Sequence, residues 1–189
     1  MITFDELRLN YLSILDIPYF ELIKSKEWFD RRESIITRDG YKCSTCDKLP
    51  TMPHYDIESR KTFHLWFGED KLVYLKNEKG YFEESYMPEI KIADKAYSLH
   101  VHHKLYIVGK LPWEYTDDDL ITLCNWCHWD FHEKNIVPVF RSVNDKMEQL
   151  DINPCFRCNA AGWFPEYSHV YSGICFRCKG ARYEELIEH

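Results

Sequence analysis

Apolar positions along the chain change period several times, and each change predicts an element. In residues 4–24, Leu7, Tyr11, Ile14 and Leu15 recur at i, i+4, i+7 and i+8, the stripe of an amphipathic helix, with Pro18 as a break. Residues 26–38, KEWFDRRESIITR, predict a second helix whose apolar set is Trp28, Phe29, Ile35 and Ile36. Gly40 stops it, and YKCSTC follows at once. The period then shortens. Residues 47–96 hold Pro50, Pro53, alternating stretches such as KTFHLWF and KLVYLK, and the turn-prone NEKG, and predict a loop and a β-hairpin. Residues 97–108, YSLHVHHKLYIV, predict a strand, followed by a polar turn region through Asp119. LITLCNWCHWDFHEKN predicts a tight turn running into a short helix. Residues 137–153 read as a linker or bridging helix. Residues 154–183 form a compact unit that carries CFRC twice.

Composition bounds the class. A chain of 189 residues suggests one domain with a small appendage. With 45% apolar and 29% charged residues it can bury a core, and global disorder is not expected. No apolar run reaches the roughly 18 residues of a membrane span. The start, MITFDELRLN, has two acids and no apolar h-region, so no secretory leader and a cytoplasmic location are expected. A formal net charge of -7 argues against a surface that is one nucleic-acid-binding field, but it leaves room for a local basic cleft.

The cysteines sharpen this. All eight fall in C-x2-C pairs: Cys43 and Cys46, Cys124 and Cys127, Cys155 and Cys158, Cys175 and Cys178. A C-x2-C turn places two thiolates on one ion, and zinc prefers four tetrahedral ligands. Two structural zinc sites are therefore expected rather than disulfides. The first joins Cys43 and Cys46 to Cys124 and Cys127 around the inserted hairpin. Cys155, Cys158, Cys175 and Cys178 form the second. A closed site of four cysteines leaves no open coordination, so neither is expected to be catalytic.

Five of the nine histidines lie in two tight groups, His100, His102 and His103, then His128 and His132. The second pair is spaced i, i+4, which puts both rings on one helix face and suits capture of one metal. In the first group, adjacent strand residues face opposite ways. One of His102 and His103 can then bind a metal while the other activates water.

Two stretches, WFDRRESIITRDGYKCSTC and LHVHHKLYIVGKLPWEYTDDDLITLCNWCHWDFH, resemble the HNH endonucleases of the ββα-metal fold. The resemblance covers roughly residues 28–135, interrupted by the insertion. It implies an α+β chain. An HNH core over residues 1–136 would carry an inserted hairpin at about 47–96 and N-terminal helices. A linker or bridging helix (137–153) would lead to a C-terminal zinc-ribbon or knuckle module (154–183). It further implies His103 as the general base and His102, His128 and His132 as ligands of a catalytic divalent metal, whether Zn2+, Ni2+, Mn2+ or Mg2+. Asp119 falls where the family has Asn. An Asp there can accept a hydrogen bond from the base and would raise its pKa. The implied substrate is DNA, with no membrane partner.

Other residues have weaker roles. His100 shares a strand face with His102. Trp113 and Glu114 are expected to pack and cap their loop; His54, His64 and His189 read as structural or surface. The C-terminal unit sets Arg157, Arg177, Lys179 and Arg182 against Glu166, with Trp163, Phe164, Tyr167 and Tyr171 between its knuckles. Lys104, Arg157, Arg177 and Lys179 are the candidate phosphate contacts. Lys24, Lys26, Arg31, Arg32, Arg38 and Lys42 offer a second basic patch, but the acids interleaved with them also read as a solvated helix face. Two rival functions stay open: a catalytically silent nucleic-acid-binding zinc protein of the same fold, and a zinc-stapled interaction adaptor.

Overall fold

A computed structural model describes residues 1–143, 146–167 and 169–187; His189 lies outside the described residues. The chain is mixed α+β with several small sheets, and it divides into two units, Met1–Lys48 with Leu99–His189, and Leu49–Ser98.

The first unit opens with α1 (Phe4–Arg8), a 3-10 turn (Ile14–Asp16) and α2 (Tyr19–Leu22). These replace the single helix expected before Pro18. Ser13 explains part of the break: its hydroxyl accepts from the Leu15 N–H, so the side chain competes for a donor that a continuous helix would use. Leu7, Ile17 and Leu22 are buried, whereas Ile14 and Leu15 are exposed. Helix α3 (Lys26–Arg38) is as expected, capped by Ser25, whose hydroxyl accepts from the Trp28 N–H. Trp28, Ile35 and Ile36 are buried, but Phe29 is 44% exposed and does not belong to the packing face.

The inserted unit is an antiparallel sheet of β1 (Met52–Asp56), β2 (Lys61–Lys76) and β3 (Phe82–Ile92), ordered β1-β2-β3. The expected hairpin is β2–β3. The Asn77 side chain closes its turn by accepting from the N–H groups of Lys79 and Tyr81. The expected loop contains a third strand. Pro53 sits in β1 because that strand lies at the sheet edge, where a missing N–H is tolerated.

Back in the first unit, β4 (Leu99–His103) and β5 (Tyr106–Ile107) replace the single strand expected over 97–108. The chain breaks at Lys104, whose N–H turns to the Asp119 carbonyl. β6 (Leu120–Cys124) pairs antiparallel with β4, from Leu99 opposite Cys124 to His103 opposite Leu120. α4 (Asn125–Lys134) follows directly, so two strands and a helix form a β-β-α unit. β7 (Val139–Val143) pairs parallel with β5, and β8 (Lys146–Gln149) pairs with β7. Among the described residues of segment 137–153 there are two strands and no bridging helix. Pro138 and the β-branched Val137, Val139 and Val143 favour extended backbone. The described residues of the C-terminal module form two cysteine knuckles linked by short bridges, Pro154 to Tyr183 and Trp163 to Ile174.

Candidate metal centre

Helix α3 fixes the frame on which the histidines stand. Arg32 donates to the Leu99 carbonyl at 2.7 Å, Arg38 to the Leu120 carbonyl at 2.9 Å, and Arg31 to the Tyr115 carbonyl at 2.7 Å. The Asp39 carboxylate accepts from the Thr122 N–H at 2.8 Å. These groups hold the first residues of β4 and β6 and the middle of β6. The basic run on α3 is therefore more than a solvated face. Its arginines satisfy strand and loop carbonyls, and Lys26 pairs with Asp30, as Lys24 just before the helix does with Glu21.

Strand alternation then separates the His doublet. His102 faces α4, where His128 and His132 sit one turn apart. The three rings lie 4.9–5.1 Å apart by centroid, and their candidate ligand atoms lie within 4.8 Å of one another. His102 and His132 are 2% and 1% exposed. Both ring nitrogens of His102 and the Nδ1 atoms of His128 and His132 are buried without a hydrogen-bond partner. Each orphaned polar atom costs about 1–3 kcal/mol, and a bound cation removes that cost. Burial pushes all three imidazoles well below their ordinary pKa, His132 to about 3. They stay neutral, which is the ligand form. This donor set fits a metal ion.

The cysteines converge as expected in two groups of four, and all eight are free. Cys46 Sγ and Cys124 Sγ are 3.8 Å apart, Cys158 Sγ and Cys178 Sγ 3.6 Å. A tetrahedral zinc with Zn–S of about 2.3 Å requires an S···S edge of about 3.8 Å. Backbone amides aim at the sulfurs: the Cys127 N–H donates to Cys124 Sγ and the Gly162 N–H to Cys158 Sγ. Burial raises the Cys43 thiol, but amides of Cys124, Cys46 and Thr45 outweigh it and bring it down to about 7. Cys124 also caps α4, so the first cysteine group and the His128–His132 helix share a residue.

His103 occupies the opposite face of β4. Its ring stacks on Trp28 at 5.1 Å and meets Tyr115 edge-on at 4.6 Å. Nε2 lies 3.0 Å from the Pro112 carbonyl, and Nδ1 lies 3.3 Å from the Tyr19 hydroxyl. A carbonyl can only accept, so Nε2 carries the proton and Nδ1 offers its lone pair to the Tyr19 O–H. Burial pushes His103 down to about 4. The Asp119 carboxylate accepts from the Thr116 N–H and hydroxyl and makes no hydrogen bond to His103. The group that orients His103 is the Pro112 carbonyl instead.

The C-terminal module packs on the histidines. Trp163 stacks on His100 at 4.7 Å with the planes 3° apart, and lies 5.8 Å from His128. Asn159 donates to the His132 carbonyl. The Arg182 guanidinium sits over the rings of Tyr19 and Tyr106. Among the candidate phosphate contacts, Arg177 pairs with Glu184 and Lys104 donates to the Asp118 carbonyl. Arg157 reaches the Phe164 and Phe176 rings, and Lys179 is exposed. Phe164 packs on Trp129, whereas Tyr167 and Tyr171 are exposed. Glu114 accepts from the Leu111 N–H and Trp113 packs on Phe4, as expected of a capped loop. His54 and His169 are exposed, and His64 is half-buried.

Tyr19, Pro112, Asn159 and Arg182 were not legible as parts of this centre. Only Arg182 left a trace, as one of the C-terminal cations. Among the described residues no helix is long and apolar enough to cross a membrane. In comparison with known proteins, no family model, no curated protein and no solved structure matches this chain.

Proposed function

We propose that the protein is a metal-dependent endonuclease of the HNH type that hydrolyses phosphodiester bonds in DNA, with structural zinc in both cysteine groups. One observation carries the reading: consecutive histidines on β4 face opposite ways into different surroundings. His102 joins His128 and His132 in a donor set of buried, unpartnered nitrogens. His103 stands behind it as an imidazole of fixed tautomer. His102, His128 and His132 would hold the divalent cation, which when bound would supply Lewis-acid polarisation of a phosphate oxygen.

The chain's own residues supply the rest. Pro112 holds the Nε2 proton of His103, which leaves Nδ1 to accept a proton from water. Tyr19 now donates to that atom, so the water either displaces the Tyr19 hydroxyl or passes its proton through it. His103 is neutral at pH 7 and ready to act as a base. Eight thiolates kept in metal sites suit a reducing, cytoplasmic setting.

Cleavage of supercoiled plasmid across Mg2+, Mn2+, Ni2+ and Zn2+, with His103→Ala as control, tests the proposal. Metal-dependent nicking or linearisation by the parent, lost in the variant, is the expected result. A second reading, a catalytically silent nucleic-acid-binding protein, is favoured by one observation. His103 is only 2% exposed, and Asp119 does not brace it. DNA binding without cutting under every metal would select that reading. Absence of DNA binding at low salt would select an adaptor.

A further inference from the structure

We propose that Arg182 is an anion-binding residue beside the histidine centre, and that it takes a phosphate group of the nucleic acid. The nuclease reading supplies the identity of the phosphate's carrier; the anion site rests on three observations of its own.

The first is a strained backbone. The two knuckles read CFRCNAAG (155–162) and CFRCKGAR (175–182), and they share a left-handed pattern. Asn159, Ala160 and Gly162 have φ of 45°, 62° and 80°, and Lys179, Gly180 and Arg182 have 47°, 89° and 73°. The last position is glycine in one knuckle and arginine in the other. Holding a residue with a long side chain there costs about 1 kcal/mol or more. Gly162 also clears space for it, since a Cβ at Gly162 would meet Arg182 Cγ at 3.3 Å. Such strain persists where the side chain has a task.

The second is an unbalanced charge. The guanidinium lies 4.0 Å from the Tyr19 ring centroid and 4.9 Å from that of Tyr106, and donates to the Tyr106 hydroxyl. Among the described residues it pairs with no carboxylate, whereas Arg177 of the same knuckle pairs with Glu184. Aromatic faces compensate a partly desolvated cation only in part.

The third is a cavity of about 530 Å³ whose wall includes Arg182, Lys110 and Lys179. Asp16 is the only acid among its described lining residues, in a protein of net charge -7. Tyr19, Tyr106 and Tyr115 line it too, and the same rings contact His103 at 6.3, 5.5 and 4.6 Å. An anion in the cavity therefore sits one aromatic layer from His103. The size is that of an ordinary small-ligand pocket.

Titration of inorganic phosphate into the full chain, by calorimetry and by 31P line broadening, tests this, with zinc content measured for every variant. The parent should bind phosphate saturably. Arg182→Gln should bind about 10- to 100-fold more weakly, the usual loss for a charged hydrogen bond, and Arg182→Lys should fall between. The same Arg182→Gln protein should lower the salt slope of oligonucleotide binding by about one. Should Arg182→Gln lose zinc, the double variant Lys110→Gln/Lys179→Gln replaces it and should weaken phosphate several-fold. No saturable binding by the parent, or full binding by a zinc-replete Arg182→Gln, or unchanged binding by that double variant, overturns the site. Phosphate binding that depends on Arg182 in a protein that cuts nothing keeps the anion site and removes the nuclease. Metal-dependent cutting with phosphate binding indifferent to Arg182 does the reverse.

Discussion

The two faces of β4 carry the same side chain in opposite states. On the α4 face, the nitrogens of His102 lack hydrogen-bond partners and the neighbouring side chains are His128 and His132. On the other face, both nitrogens of His103 are engaged, one by the Pro112 carbonyl and one by the Tyr19 hydroxyl. A ligand face must leave lone pairs for an ion. A base face must fix a proton on one nitrogen so that the other can take one. Burial makes both faces neutral, so burial does not distinguish them; hydrogen-bond satisfaction does.

The comparison breaks most sharply at the ligand face. His132→Ala should weaken binding of the third metal by more than about 100-fold, beyond the range typical of losing a mere outer partner. The zinc of both cysteine groups should survive, since their ligands are unchanged. Metal titration followed by calorimetry measures it. An unchanged affinity would show that His132 is no ligand and that the face holds no metal.

His103→Ala should leave that affinity intact and lower cleavage by about 10²–10⁴-fold, the usual cost of a general base. If it releases the third metal while His102→Ala retains it, the assignments on the two faces are exchanged. Plasmid cleavage rates at saturating metal, read beside the titration, separate the cases.

How far could this contrast be read before folding? The faces themselves were legible, because strand alternation is local and His102 and His103 are neighbours. So were α3, the i, i+4 spacing on α4 and the four C-x2-C turns, whose geometry is set within a few residues. Their surroundings were not. Pro112 orients His103 through a backbone carbonyl, and every residue has one, so its side chain carries no signal. Tyr19 and Arg182 come from opposite ends of the chain. Pro53 lies in the stretch expected to be a loop, yet an edge position lets it sit in a strand. Segment 137–153 has no clear alternation, since β7 gains its pairing from β5, more than thirty residues upstream.

Acid should probe both faces together. His100 and His103 are pushed by burial from 6.5 to about 4. A histidine whose folded pKa is depressed contributes full stability above its unfolded value. That contribution falls as pH drops from about 6.5 towards 4, because the unfolded chain binds the protons first. Urea midpoints should therefore decrease steadily from pH 7 to pH 5. His103→Gln should flatten part of that slope. A slope identical in parent and variant would mean that His103 is solvated and already protonates freely in the folded state.

The smallest effect belongs to Asp119. Its carboxylate caps its own turn through Thr116, and it reaches His103 only as a nearby negative charge that favours the imidazolium. Asn can keep the cap, since its side-chain oxygen still accepts and Asn and Asp are similar capping residues. Asp119→Asn should therefore retain cleavage within a few-fold. The acid limb of its rate profile should move slightly downward, because removing the charge makes His103 harder to protonate. Asp119→Ala should lose about 0.5–2 kcal/mol of stability, the usual value of a cap, with the same shift in the limb. Chemical denaturation and a pH–rate profile read the two effects separately. A collapse of activity in Asp119→Asn with the fold intact would place Asp119 in direct contact with the base during the reaction and make the Pro112 carbonyl insufficient to orient it.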